Sequence, residues 1–254
     1  PGSDSKALNL LVDGSLPAPS GIEVFSNRLS DLQAVLKAKE DGVIPIKGSK
    51  LVLMGHSLGA LTAFLAAGAT PQAGLPERCK KALDDLSITN LSRFLQCQLV
   101  DLPLPASSGI NELQAIVGIN SFGSLLWPSV SSSGINVPVL LTGGSFDLIT
   151  PALSEQISLL LSLRSNPMNR ILLIEGASHF SPIRVEGQVE KGDIGNDVFQ
   201  LGDSLVGSHP LSVQSLLASE IIRFLDNLEL QNNYLLKNSK NQYCLNCFLC
   251  PAYH

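Results

Sequence analysis

Between Ile22 and Glu40 the apolar residues Phe25, Leu29, Leu32, Val35 and Leu36 recur at three- and four-residue steps. That spacing predicts a helix with one buried face, ended by Asp41-Gly42. Leu51 to Met54 is a short apolar run without alternation, the mark of a strand covered on both sides, as in a parallel sheet. The Ala/Leu-rich stretch Leu58 to Ala69 predicts the helix that follows. From Pro71 to Ser108 the chain is more polar, with helical patterns over Glu77 to Leu86 and Leu91 to Leu99 and an exit marked by Pro103 and Pro105; it reads as an insertion over the sheet. Three further strands are predicted at Ala115 to Ile119, Pro138 to Leu141 and Ile171 to Ile174, with a helix over Ala152 to Leu163 before the last. Strands and helices alternating at this spacing imply crossover connections and a mostly parallel sheet with helices on both faces. After a Gly/Asp-rich loop from Glu186 to Gly207, Leu211 to Leu228 carries Val213, Leu216, Leu217, Ile221, Phe224 and Leu225 on one side, which predicts a C-terminal helix.

Composition narrows the class. The chain has 254 residues, 44% apolar and 15% charged, with a net charge of −5. So few charges exclude whole-chain disorder, and the length suits one large α/β domain. Without a cluster of Lys and Arg, nucleic acid is excluded as a partner. The uncharged run from Leu51 to Pro76 is long enough to span a membrane, but Gly55, His56, Ser57, Gly59 and Gly68 interrupt it. A strand running into a helix accounts for it better than a transmembrane segment. No signal-peptide pattern stands near Pro1, so compartment is not fixed from this end.

The candidate chemistry lies where the first predicted strand meets its helix. Gly55-His56-Ser57-Leu58-Gly59 is a Gly-x-Ser-x-Gly turn in the strand-to-helix context that a nucleophile elbow needs. The glycines are expected to be required because a side chain two positions either side of the serine would strike its neighbours. Ser57 is the candidate nucleophile, and the Leu58 backbone N–H at the helix start is a candidate oxyanion donor. A serine hydroxyl needs a base backed by a carboxylate. His179, in Glu175-Gly176-Ala177-Ser178-His179, and Asp147, in Thr142-Gly143-Gly144-Ser145-Phe146-Asp147, each follow a predicted strand. Both therefore fall at the C-terminal edge of the sheet, where open α/β folds gather their sites. Asn120-Ser121, after the strand ending at Ile119, offers no competing carboxylate. His209 is a rival base but precedes Pro210 at a helix entry, and His56 is expected to point away from the serine beside it. Phe122, Leu125, Leu126 and Trp127 follow the strand ending at Ile119; they either line an acyl or leaving-group pocket or pack their loop onto the core.

On the Ser57 elbow and the Asp147 and His179 loops the chain resembles the α/β-hydrolases, and within them bacterial proteins described as predicted dienelactone hydrolases and platelet-activating-factor acetylhydrolase-like esterases. The resemblance covers roughly Pro1 to Leu228 and implies a serine carboxylic-ester hydrolase with Ser57 as nucleophile, His179 as base and Asp147 as orienting acid. It implies no metal and no organic cofactor, and a small-molecule or lipid ester as partner. Dienelactone hydrolases proper use cysteine where this chain has Ser57. The family also sets several strands and an oxyanion loop before the position of Pro1, so the resemblance implies an α/β-hydrolase domain over 1–230 that is N-terminally truncated, with a helical insertion at about 71–108. Two other functions remain open: a lipid acyl hydrolase or acyltransferase with the insertion as lid, and a non-catalytic hydrolase-like binding domain.

Five cysteines complete the picture. Cys79 and Cys97 flank the predicted inserted helices and form either a disulfide or two buried thiols. Cys244, Cys247, Cys250 and His254 are spaced too tightly for one tetrahedral metal site. The Asn/Lys/Gln-rich segment before them predicts an unstructured tail over 231–254.

Overall fold

The computed structural model describes residues 21–45, 48, 50–84, 90–100, 110, 112–130, 133–183 and 210–240; of 21–26 and 231–240 it describes the backbone alone. His209, the loop at 186–207 and the cysteines of the tail lie outside the described residues. The chain divides into two compact units, Pro1–Gln214 and Ser215–His254.

The first unit is an α/β structure. Helix α1 (Gly21–Glu40) precedes strand β1 (Leu51–His56), which runs into α2 (Leu58–Ala66). Helices α3 (Leu75–Asp84) and α4 (Ser92–Cys97) occupy the predicted insertion; β2 (Leu113–Ile119), β3 (Val139–Gly144), α5 (Gln156–Ser162) and β4 (Arg170–Ile174) follow. The four strands lie in the order β1-β2-β3-β4. All three pairings are parallel, with His56 opposite Ile119, Ile119 opposite Thr142, and Gly144 opposite Ile174. Because parallel strands leave their sheet along the same edge, the loops after β1, β2, β3 and β4 all open on one side.

The two inner strands are covered as their apolar runs predict: every residue of β3 is buried, and Ala115, Ile116 and Val117 of β2 are inaccessible. The expectation that Leu51 to Met54 is covered on both sides is corrected, since Met54 is 61% exposed, as is Leu173 of β4 at 48%; these strands stand at the two ends of the β1-β2-β3-β4 order, where one neighbour is missing among the described residues. In α2, Ala60 through Ala66 are buried without a polar face, so this helix lies inside the unit rather than on it. Phe64 and Leu61, wholly buried, join Ile116, Leu141 and Leu159 in one apolar cluster, each contributing about 1.5–3 kcal/mol by removal from water. This core holds β1 and α2 rigidly on either side of Ser57.

The last helix, α6 (Pro210–Lys240), is longer than its apolar pattern predicts. Val213, Leu217, Phe224 and Leu228 are its buried positions. The expectation of an unstructured segment from 231 is corrected as far as Lys240: residues 229–240 contain neither glycine nor proline, and the Asn, Gln and Lys that suggested disorder are tolerated in a helix. Among the described residues no helix is long and apolar enough to cross a membrane.

Candidate active site

Ser57 joins β1 to α2 with φ 53° and ψ −117°, a conformation that residues with a side chain rarely adopt and that costs on the order of 1–3 kcal/mol. Its amide donates to the Ile119 carbonyl at the end of β2 at 2.9 Å, and its carbonyl accepts the Leu61 amide at 3.1 Å. The hydroxyl makes no capping bond to its own helix and so stands available at the turn. Gly55 is required there, since a Cβ at that position would overlap the Gly59 backbone and reach 2.5 Å from the Ala60 nitrogen. The same expectation for Gly59 is corrected, because a Cβ there meets nothing within 4 Å. Leu58 opens α2, so its amide is one of the first-turn donors that a helix leaves unpaired.

Asp147 and His179 come together as the strand edge predicts. His179 Nδ1–H donates to Asp147 Oδ2 at 2.9 Å, and both residues are nearly inaccessible, at 5% and 2% exposure. Gly144 permits the approach of their loops, because a Cβ on it would overlap the Ala177 carbonyl, the same carbonyl that accepts the Phe146 amide at 3.0 Å. In the tautomer with its proton on Nδ1, the other ring nitrogen, Nε2, is an acceptor.

The Asp147 carboxylate accepts four further bonds. Oδ1 takes the amides of Ile149 at 2.9 Å and Thr150 at 2.7 Å; Oδ2 takes Thr150 Oγ1 at 2.7 Å and Asn120 Nδ2 at 2.5 Å. Burial alone would raise its pKa, but the bond and charge of His179, then the bonds from Asn120 and Thr150, hold the carboxyl below its ordinary value. Asp147 is therefore a fixed anion behind the imidazole.

His56, beside Ser57 in the turn, has a partner of its own. Its Nε2–H donates to the His179 carbonyl at 2.7 Å, with the two rings 4.8 Å apart. Burial first, and the neighbouring His179 second, push its pKa down to about 4, so His56 is neutral near pH 7. This bond ties the elbow to the His179 loop. Among the described residues no hydrogen bond joins Ser57 Oγ to His179 Nε2.

The insertion is anchored beside the acid loop. Cys79 and Cys97 form a disulfide linking α3 to α4. Ser92 N donates to Ile149 O at 2.8 Å and Leu91 N to Leu148 O at 3.5 Å. Below them Glu155, with no exposure, accepts from Asn90 Nδ2, Ser124 Oγ and the Gly123 and Ser124 amides at 2.7–3.1 Å. Of the two readings of Phe122 and Trp127, pocket lining or packing of their loop onto the core, the second describes them: they are core residues at 0% and 1% exposure. Trp127 stacks at 5.9 Å on Phe64 and donates Nε1–H to Thr70 O; Leu126 is also inaccessible, and Leu125 is half-buried against the same core. The loop is short and follows a strand whose far side is already covered, so its large side chains turn inward.

Asn120, Thr150 and Glu155 were not legible as site residues. No motif marks them; the one available signal is a polar residue directly after a covered strand, which Asn120 is. Among the described residues no group of His, Cys, Asp and Glu could hold a metal ion. No family model matches the sequence, and no curated protein is significantly similar to it.

Proposed function

We propose that the chain is a serine hydrolase of the α/β-hydrolase type that cleaves carboxylic esters through an acyl-enzyme. The observation that carries this reading is the buried His179–Asp147 pair at 2.9 Å, on the same sheet edge as a serine held in a strained strand-to-helix turn. Ser57 Oγ attacks the ester carbonyl while its proton passes to His179 Nε2. The Leu58 N–H donates to the oxygen that becomes negative, and Asp147 stabilises the imidazolium through Nδ1. Collapse of the tetrahedral intermediate breaks the ester C–O bond, and His179 returns the proton to the leaving alcohol. Water then attacks the acyl-serine by the same proton path, releasing the acid and restoring Ser57. A relation to the dienelactone hydrolase-like and acetylhydrolase-like esterases rests on these residues and this order in the chain.

A lipid acyl hydrolase is the second reading. It is favoured by Phe146 and Leu148, 55% and 53% exposed on either side of Asp147, next to an insertion braced by a disulfide. Hydrolysis of p-nitrophenyl acetate, butyrate and decanoate tests both. Turnover lost in Ser57→Ala and His179→Ala supports the enzyme, and preference for decanoate favours the lipid reading. A folded protein with no turnover on any ester leaves the non-catalytic binding domain.

A further inference from the structure

Resting on the hydrolase reading for its consequence but not for its geometry, we propose that Asn120 is the positioning residue for the catalytic acid, fixing the Asp147 carboxylate to the central strands. Asn120 stands at the end of β2, between the strand that carries Ser57 and the strand that carries Asp147. The donors that hold Asp147 from its own loop, Ile149 N, Thr150 N and Thr150 Oγ1, lie within three residues of it. They set the carboxylate relative to that loop and would move with it. Besides His179 after β4, Asn120 Nδ2, 27 residues away in sequence and 2.5 Å from Oδ2, is the donor that ties the carboxylate to another strand, and it does so from the side of the elbow.

The same residue is held from several directions. Its amide donates to Thr142 O at 2.8 Å, which extends the β2–β3 ladder by one bond. Its carbonyl lies 3.1 Å from Thr150 Oγ1, as the second acceptor within reach of the one proton that Asp147 Oδ2 takes at 2.7 Å, and the carbonyl just before it, of Ile119, accepts the Ser57 amide. Asn120 thus spans the elbow and the acid loop in one step. Its backbone is left-handed, with φ 48°, where asparagine is among the few tolerated residues with a side chain. Aspartate would tolerate the same backbone but would set a second ionisable carboxyl against Asp147, whereas the carboxamide is a neutral donor that remains one at every pH. Buried at 2% exposure, it works through Asp147 rather than on substrate.

The test compares the full-length chain with Asn120→Gly, which keeps the left-handed backbone, and Asn120→Asp, which keeps the shape. The rate at which a fluorophosphonate inactivates the protein is measured alongside the titration of the His179 imidazole by NMR, its signal assigned by its loss in His179→Ala. The titratable groups facing His179 among the described residues are Asp147 and His56, and the latter stays neutral above pH about 4. With the donor removed in Asn120→Gly, uncompensated negative charge beside Nδ1 grows and the imidazolium is favoured; in Asn120→Asp the two buried carboxyls, within 2.5 Å, share one proton, so a donor to Asp147 is kept. The expected result is an upward shift of the His179 midpoint by at least about half a pH unit in Asn120→Gly, with inactivation slowed about 10- to 100-fold, and a smaller change of both in Asn120→Asp. A midpoint unchanged in Asn120→Gly overturns the proposal, whatever happens to melting temperature, since a residue that only filled space would alter stability and leave the titration alone. If the parent protein does not react with the fluorophosphonate, the hydrolase reading fails, and the NMR comparison still decides the role of Asn120.

Discussion

Two buried carboxylates sit a few residues apart in this chain and have opposite characters. Asp147 and Glu155 are both almost wholly inaccessible, and both are saturated with hydrogen bonds from loops that converge at the C-terminal edge of the sheet. Among the described residues every donor to Glu155 is neutral: backbone amides, a hydroxyl and the carboxamides of Asn90 and Gln96. Asp147 has an ionisable partner, His179, at the end of a strand next to its own. A buried carboxylate surrounded by neutral donors is a knot that fixes loops. The same group facing an imidazole can stabilise a charge that comes and goes, which is what a proton relay requires.

That contrast can be broken by mutation. Asp147→Asn should reduce ester turnover per folded molecule by about 10³- to 10⁴-fold, because the charge behind the imidazole is lost; the melting temperature should fall as well, since the amide sets an NH2 against groups that donated to the carboxylate. The next largest effect is structural: Glu155→Ala leaves the Gly123 and Ser124 amides unpaired and takes one of two acceptors from each of the Asn90 and Gln96 carboxamides, so unfolding stability should drop by about 3–5 kcal/mol in chemical denaturation. Turnover per folded molecule should stay near the parent value. If Glu155→Ala instead abolished turnover in folded protein, the division between the two carboxylates would fall.

Smaller effects sharpen the comparison. Cys79 and Cys97 are 18 residues apart, and replacing both with serine should cost about 3 kcal/mol, read as a lower denaturant midpoint. His56 supplies a pH signature. Its folded pKa of about 4 lies below the ordinary 6.5, so the unfolded chain takes up this proton first as the pH falls. Its contribution is whole above pH 6.5 and is lost between there and about pH 4, to a maximum of about 3 kcal/mol. Asp147, also held below its ordinary value, loses its contribution at still lower pH. Melting temperatures measured from pH 8 to pH 4 should therefore fall, and His56→Gln, which can still donate to the His179 carbonyl, should flatten the fall between 6.5 and 4.

The elements that speak in the sequence are those set by local pattern. Strand β1 and the helix after it were legible because Leu51 to Met54 and Leu58 to Ala69 change periodicity across a glycine-bounded serine. Asp147 and His179 were legible because each follows an apolar run by a few residues. What could not be read depends on contacts across the chain. Asn120 looks like an ordinary turn residue until β2 and β3 pair and bring it to Asp147. Glu155 resembles an exposed helix-start carboxylate until Asn90 and Ser124 close over it. For Phe122 and Trp127 position alone left a pocket lining and core packing both open; whether a loop side chain turns inward is decided by what lies beneath it, here Phe64 and Leu159. The disulfide stayed open because spacing does not fix pairing. The length of α6 was missed because polar residues neither require nor forbid a helix.

The central claim is that Ser57 is activated by His179 and Asp147, and locating the covalent adduct tests it most directly. The full chain is treated with a fluorophosphonate and digested, and the modified peptide is sequenced by mass spectrometry, in parallel with His179→Ala. The account predicts one adduct, on Ser57, that disappears in His179→Ala although the serine is still present. An adduct on another residue, or one on Ser57 that survives loss of the histidine, would contradict it.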